Sequence, residues 1–191
     1  MNSDAPSMSL NERLRRARRD LNALAIGFCI ILVPASAPAA KNRVAFRTVQ
    51  AELIRVTDGD TLVVRDQNGK KQRIRLAGID APELHQPYGK QSKASLRKLL
   101  GEHVLQLRVT KTDRYGRLIA TVKAGSTRVG LAQINSGSAW FYRRYRREQS
   151  KADQQKYGAA EARARRLGRG LWQQTDPIAP WVYRRKQRQR R

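Results

Sequence analysis

Apolar and polar residues alternate along two stretches of the chain. Leu105, Leu107 and Val109 interleave with Gln106, Arg108 and Thr110. Leu118, Ala120 and Val122 interleave with Ile119, Thr121 and Lys123, up to Gly125. A period of two is that of a half-buried β-strand. Val49 to Val56 is rich in β-branched and apolar residues, and Leu62-Val63-Val64 follows after a turn. Asn68-Gly69 predicts a type I′ hairpin, with Arg73 to Leu76 returning as the partner strand. Elsewhere the period lengthens. Ala94, Leu96, Leu99 and Leu100 predict a helix ending at Gly101, and Leu131 and Ile134 a short one stopping at Gly137. Ser150, with Asp153 three residues on, caps a third whose stripe is Tyr157, Ala160, Ala164 and Leu167, stopped by Gly168. About five short strands and three helices give an α+β fold, read as a small closed five-stranded barrel with helices added.

The two ends follow other rules. Arg13, Arg15, Arg16, Arg18 and Arg19 precede an apolar run from Leu21 to Val33, too short for a comfortable transmembrane helix. Pro34 to Ala40 follows, with Ala35-Ser36-Ala37 as a cleavage site and Ala40 as a second choice. Residues 1–40 therefore read as an export signal, or as an anchor if left uncleaved, and localisation is expected to be secreted or periplasmic. The only cysteine, Cys29, falls inside this stretch, so the remaining domain needs no disulfide. At the other end, residues 176–191 form a basic tail: Arg184 to Arg191 holds five Arg and one Lys. Such a run reads as a solvated, mobile segment, or as a non-specific arm for nucleic acid.

Charge narrows the partner. The 191 residues hold 40 Lys plus Arg against 15 Asp plus Glu, a net +25, and 29 of the basic residues are Arg. A field of this size suits a polyanion: nucleic acid, an anionic membrane surface or an acidic polymer. The planar Arg fork matches phosphate. A hydrophobic content of 40% excludes a wholly disordered basic chain, and the length suits one domain.

Against this background, five of the carboxylates fall between Asp58 and Glu83: Asp58, Asp60, Asp66, Asp80 and Glu83. Carboxylates repel phosphate unless a cation lies between, and hard oxygens at this density suit Ca²⁺ or Mg²⁺. Each motif alone has a bland reading. Thr57-Asp58-Gly59-Asp60-Thr61 could be a turn, Ile79-Asp80-Ala81-Pro82-Glu83 a strand end, and Asp113-Arg114-Tyr115-Gly116-Arg117 a hairpin with a surface ion pair. In this order and spacing, D-G-D-T, R-L-A-G-I-D-A-P-E and D-R-Y-G-R closely resemble the staphylococcal nuclease family. The likeness runs from about Val49 to Trp172, within a domain read as residues 45–175.

That resemblance implies an OB-fold barrel with three helices and Ca²⁺-dependent hydrolysis of DNA and RNA. By motif position it implies Asp60 and Asp80 as carboxylate metal ligands and Ala81 as a ligand through its backbone carbonyl. Asp58 matches an outer-shell residue. Arg75, Glu83 and Arg117 match the catalytic side chains, and Tyr115, with Arg114 beside it, the substrate phosphate contact. Ca²⁺ needs about six to eight oxygens, so such a set leaves room for water and substrate. The Arg forks suit the charge of the transition state, and Glu83 is spaced to orient or deprotonate water.

Trp140, Phe141, Tyr142, Arg143, Arg144, Tyr145, Arg146 and Arg147 interleave aromatic and basic residues. Trp140 and Phe141 are expected in the core, with Tyr142 or Tyr145 free to stack on a base. Trp172 and Trp181 are expected to pack the C-terminal segment. His85 and His103 stand 18 apart with no catalytic motif around them. The whole is read as an exported nuclease, monomeric and without a membrane span in its mature form. The alternative is a non-catalytic OB-fold nucleic-acid binder, in which these carboxylates and arginines would have no reason to stand together.

Overall fold

The computed structural model describes residues 47–190. The expected export signal lies outside these residues, as does Arg191. Five strands form the barrel: β1 (Arg47–Val56), β2 (Thr61–Asp66), β3 (Lys71–Leu76), β5 (Leu105–Thr112) and β6 (Leu118–Ala124). They pair antiparallel in the order β3-β2-β1-β5-β6, and a parallel β3–β6 pairing closes the ring. β1 serves two partners. Its first half lies against β5 and its second half against β2, with a register shift between Leu53 and Arg55 that bends it from one to the other. The expected alternation holds: Leu105, Leu107, Ala120, Val122, Leu62, Val64 and Ile74 fill the interior, each 0 or 1% exposed.

Around the barrel lie α1 (Gly89–Leu100), α2 (Val129–Asn135) and α3 (Lys151–Arg166). Leu96, Leu100 and Ile134 bury into the barrel core. Ser150 caps α3 as expected, its hydroxyl accepting from the Asp153 N–H at 3.1 Å. A short strand β4 (Ile79–Asp80) pairs with β8 (Trp140–Phe141), and β7 (Thr127–Arg128) extends β6. Among the described residues no helix is long and apolar enough to cross a membrane.

Four expectations need correction. The Asn68-Gly69 turn is not type I′, which needs positive φ at both central residues. Only Gly69 has it, at 76°. The loop instead runs from Asp66 to Lys70, and the Asp66 carboxylate accepts from the N–H groups of Asn68 and Lys70. Asp66 is thus a turn residue and leaves the acidic cluster. Leu167 does not continue the α3 stripe: it is half exposed where the helix ends, and Tyr157, Glu161 and Ala164 are the buried positions. Finally, the run read as a solvated tail is largely helical. A fourth helix, α4 (Pro180–Gln189), starts with Pro in the first turn, where its missing N–H costs nothing.

What holds α4 is a second apolar cluster beside the barrel. Trp140, Leu171 and Ala179 are buried there, with Tyr88, Trp172, Trp181 and Val182 packed on them. The Trp140 ring meets those of Trp172 and Trp181 edge-on at 4.4 and 5.6 Å. The expected packing role of Trp172 and Trp181 is therefore met, and it carries a basic helix toward the carboxylates.

Candidate active site

Asp60 stands at the entry to β2 and Asp80 at the end of β4, 20 residues apart. The β2–β3 ladder brings them together, because Thr61 pairs with Arg75 and the Leu76 N–H donates to the Asp60 carbonyl at 2.9 Å. Arg75 then spans both acids: Nη1 lies 2.7 Å from Asp60 Oδ2 and Nη2 2.8 Å from Asp80 Oδ1. Asp60 is 5% exposed and Asp80 is fully buried. The Ala81 N–H donates to Asp60 Oδ2 at 2.7 Å and the Thr61 hydroxyl to Oδ1 at 3.0 Å. Asp58 turns its carboxylate onto the Asp60 N–H at 3.0 Å, fixing the D-G-D loop. Burial, with Asp58 and Asp80 nearby, pushes the Asp60 carboxyl up to about 8, against the pull of Arg75.

This donor set can be judged for a metal. The two aspartates are brought together by Arg75, the Ala81 N–H donates to one of them, and their oxygens are hard. That suits a hard divalent cation. Among the described residues no group of three or more acidic, His or Cys side chains could hold a metal ion by itself. Asp60 and Asp80 offer hard oxygens of the kind a divalent cation takes, here engaged by Arg75, Arg184, the Thr61 hydroxyl and the Ala81 N–H, with Asp58 bracing the loop.

Glu83 lies at the rim, 39% exposed at its side chain. Its loop is closed tightly: the Gln86 side chain accepts from the Glu83 N–H at 3.1 Å and donates to the Ile178 carbonyl at 2.5 Å. Arg117 precedes β6, whose parallel register sets Leu118 beside Ile74 and Ile119 beside Arg75. Its guanidinium is held by Asp113, with Nε and Nη2 both 2.8 Å from Oδ2. Partial burial works against the Asp113 charge, but the Arg117 backbone and side chain and the Tyr115 N–H hold its carboxyl below the usual range. Tyr115 projects from this turn, 61% exposed, with the Arg114 and Arg117 guanidinium groups 4.8 and 5.6 Å from its ring. Arg114 also donates to the Tyr115 hydroxyl at 2.7 Å.

Tyr142 and Tyr145 are brought together, their rings 5.4 Å apart, and Tyr142 also leans on Trp181 at 5.4 Å. Tyr145, 47% exposed, is the one open for stacking. Trp140 and Phe141 are buried as expected. Glu161 secures them, accepting from the Phe141 N–H at 3.0 Å and from Arg143 at 2.7 Å.

Two residues escaped the sequence reading. Gln133 is fully buried and donates Nε2 to the Gly59 carbonyl at 2.7 Å and the Ser92 carbonyl at 3.2 Å. A polar residue on the apolar face of α2 was its only signal. The second is Arg184 on α4. Its Nη1 lies 2.6 Å from Glu83 Oε1 and 3.2 Å from Asp80 Oδ1, and its Nη2 2.7 Å from Asp80 Oδ2. Burial disfavours its charge, yet the Asp80 and Glu83 carboxylates outweigh this and hold it more firmly protonated than a free arginine. Nothing in a run of basic residues singled it out.

Residues 73–174 match a family model described as staphylococcal nuclease homologue. The chain belongs to the staphylococcal nuclease family. An uncharacterised endonuclease of Escherichia coli is 34% identical over 145 residues, covering 72% of this chain and 86% of that protein. A micrococcal nuclease of Shigella flexneri is 35% identical over 150 residues, covering 74% and 83%. A probable staphylococcal-like nuclease of rice, CAN2, is 35% identical over 122 residues, covering 64% of this chain and 32% of that longer protein. Membership makes this chain a hydrolytic nuclease with nucleic acid as its substrate, and the closed five-stranded barrel is the fold it implies. Asp58 and Asp60 precede the matched segment and Arg184 follows it.

Proposed function

We propose that this nuclease is exported and Ca²⁺-dependent, and that it hydrolyses the phosphodiester bonds of DNA and RNA by attack of water. The observation that carries the reading is the buried pair of Asp60 and Asp80, bridged by one guanidinium at 2.7 and 2.8 Å in a chain otherwise dominated by positive charge. Asp60, Asp80 and the Ala81 carbonyl would hold the ion, with Asp58 fixing the loop. When bound, Ca²⁺ neutralises the phosphate and polarises phosphorus for attack. Glu83, on a loop locked by Gln86, orients the water and takes its proton. Arg75 and Arg117, the second pre-aimed by Asp113, donate to the equatorial oxygens as charge builds there. Tyr115 and Arg114 steady the phosphate from the turn, and Tyr145 with Tyr142 offers a stacking surface. None of these groups needs a 2′-hydroxyl, so both nucleic acids serve as substrates. Export is supported by the n-region, apolar run and small-residue site within residues 1–40.

Plasmid DNA and single-stranded RNA incubated with the protein test this. Cleavage is expected with Ca²⁺, lost on chelation, and reduced about 10²–10⁴-fold by Glu83→Gln. Tight binding of plasmid without cleavage by the unmutated protein would overturn it.

A further inference from the structure

Arg184 gives the site a cation from outside residues 73–174, the segment that matches the family model. Asp80 is fully buried and turns both carboxylate oxygens to guanidinium nitrogens: Oδ1 to Arg75 and Arg184, Oδ2 to Arg184. The same Arg184 fork reaches Glu83 at 2.6 Å. It therefore joins one candidate metal ligand to the residue that would handle the attacking water. Its position is built rather than accidental. α4 is seated by Trp181 on Trp140 and Tyr142, by the Tyr183 hydroxyl on the His85 carbonyl at 3.3 Å, and by Gln86 on the Ile178 carbonyl.

A divalent ion bound to Asp80 would stand within a few ångströms of this guanidinium, in a region of low polarisability where like charges repel strongly. Arg75 takes Asp80 Oδ1, whereas Asp80 Oδ2 is held by Arg184, so an ion drawn to that oxygen competes with Arg184 first. We propose that Arg184 is a positioning residue that holds Asp80 and Glu83 in place as their resident counter-cation and is exchanged for the divalent ion, leaving Glu83 free for water only once the metal is bound. This rests on the metal reading given above. Linkage makes the exchange measurable, since whatever Arg184 gains from the carboxylates the metal must overcome.

Calorimetric titration with CaCl₂, without nucleic acid, is compared for the full chain and for Arg184→Gln, with melting temperatures taken alongside. Arg184→Gln is expected to bind Ca²⁺ about tenfold more tightly, within the usual range of coupling between sites. Its melting temperature should also rise further on Ca²⁺ addition than that of the unmutated chain. Arg184→Lys, whose single ammonium cannot span both acids, should lie between. Should Arg184→Gln fold only with Ca²⁺, that counts for the exchange. Should it not fold at all, Arg184→Lys decides, by binding more tightly than the unmutated chain or failing to. Equal or weaker Ca²⁺ binding by the variant overturns the exchange and leaves the metal site standing. Absence of Ca²⁺ binding in both proteins overturns the metal reading as well.

Discussion

The Arg75 guanidinium meets the Asp60 carboxyl almost closed to solvent, Nη1 to Oδ2 at 2.7 Å, with side-chain exposures of 13% and 8%. The pair faces two opposing pulls: Arg75 favours the carboxylate, whereas burial and the neighbouring acids favour the neutral acid and prevail, raising the group to about 8. A folded-state value above the ordinary 3.8 means that the native chain binds a proton that the unfolded chain has released. The stability this supplies is full below about pH 3.8 and is lost as pH rises toward about 8. Thermal melts in chelator from pH 4 to 9 should therefore show the unmutated protein losing stability relative to Asp60→Asn across that window. Parallel profiles for the two would show that Arg75 prevails and that Asp60 is ionised throughout.

The two arginines assigned to the transition state should separate by their partners. Arg75→Lys and Arg117→Lys should each lower cleavage by about 10²–10³-fold, the usual effect of losing one pre-aimed donor. Only Arg75→Lys removes a bridge between two buried carboxylates, which costs about 3–5 kcal/mol when broken outright. Arg117 pairs with Asp113 at a partly exposed turn, and its replacement should cost about 1 kcal/mol or less. Melting temperature and cleavage measured together check this. Equal destabilisation by the two would contradict the roles drawn here.

The barrel was legible because its interior is written locally. Leu105, Leu107, Ala120 and Val122 alternate with polar partners, and a period of two has one structural meaning. The motifs carrying Asp60, Asp80 and Arg75 were legible because their order and spacing are specific. Asp66 aside, what was not legible depended on contacts distant in sequence. Asp66 looked like a member of the acidic cluster, but nearness along the chain did not reveal that its carboxylate is spent on its own turn. Arg184 stands among four other arginines, and only the seating of Trp181 on Trp140 distinguishes it. Gln133 resembles any surface glutamine until the Gly59 carbonyl, 74 residues away, is placed against it.

Gly59 tests how tightly the D-G-D loop is packed. A Cβ there would lie 1.8 Å from Ser92 Oγ and 2.7 Å from the Ala81 Cβ. Its backbone conformation is ordinary, so the constraint is space and not a left-handed φ. Gly59→Ala must push α1 or Ala81 away. Overpacking of this kind costs about 1–3 kcal/mol. Because Ala81 neighbours the candidate metal, Ca²⁺ affinity should fall along with stability. A variant that melts lower but titrates Ca²⁺ unchanged would show that the strain is taken up by α1 alone.

Gln133 makes the complementary test, of polar satisfaction. Its side chain joins α2 to the D-G-D loop through Gly59, to α1 through the Ser92 carbonyl, and accepts from the Ser95 hydroxyl at 2.6 Å. Gln133→Leu keeps the approximate volume but leaves two buried carbonyls without that donor, at a cost of about 1–3 kcal/mol. Gln133→Glu keeps the shape but turns a carboxylate toward the same carbonyls. It should be the more damaging at neutral pH and should recover toward Gln133→Leu as the pH falls and the acid is protonated. Melting temperatures of both variants between pH 4 and 8 check the order. A Gln133→Glu variant as stable as the unmutated chain at pH 8 would mean that Gly59 finds another donor and that the loop carrying Asp60 does not depend on α2.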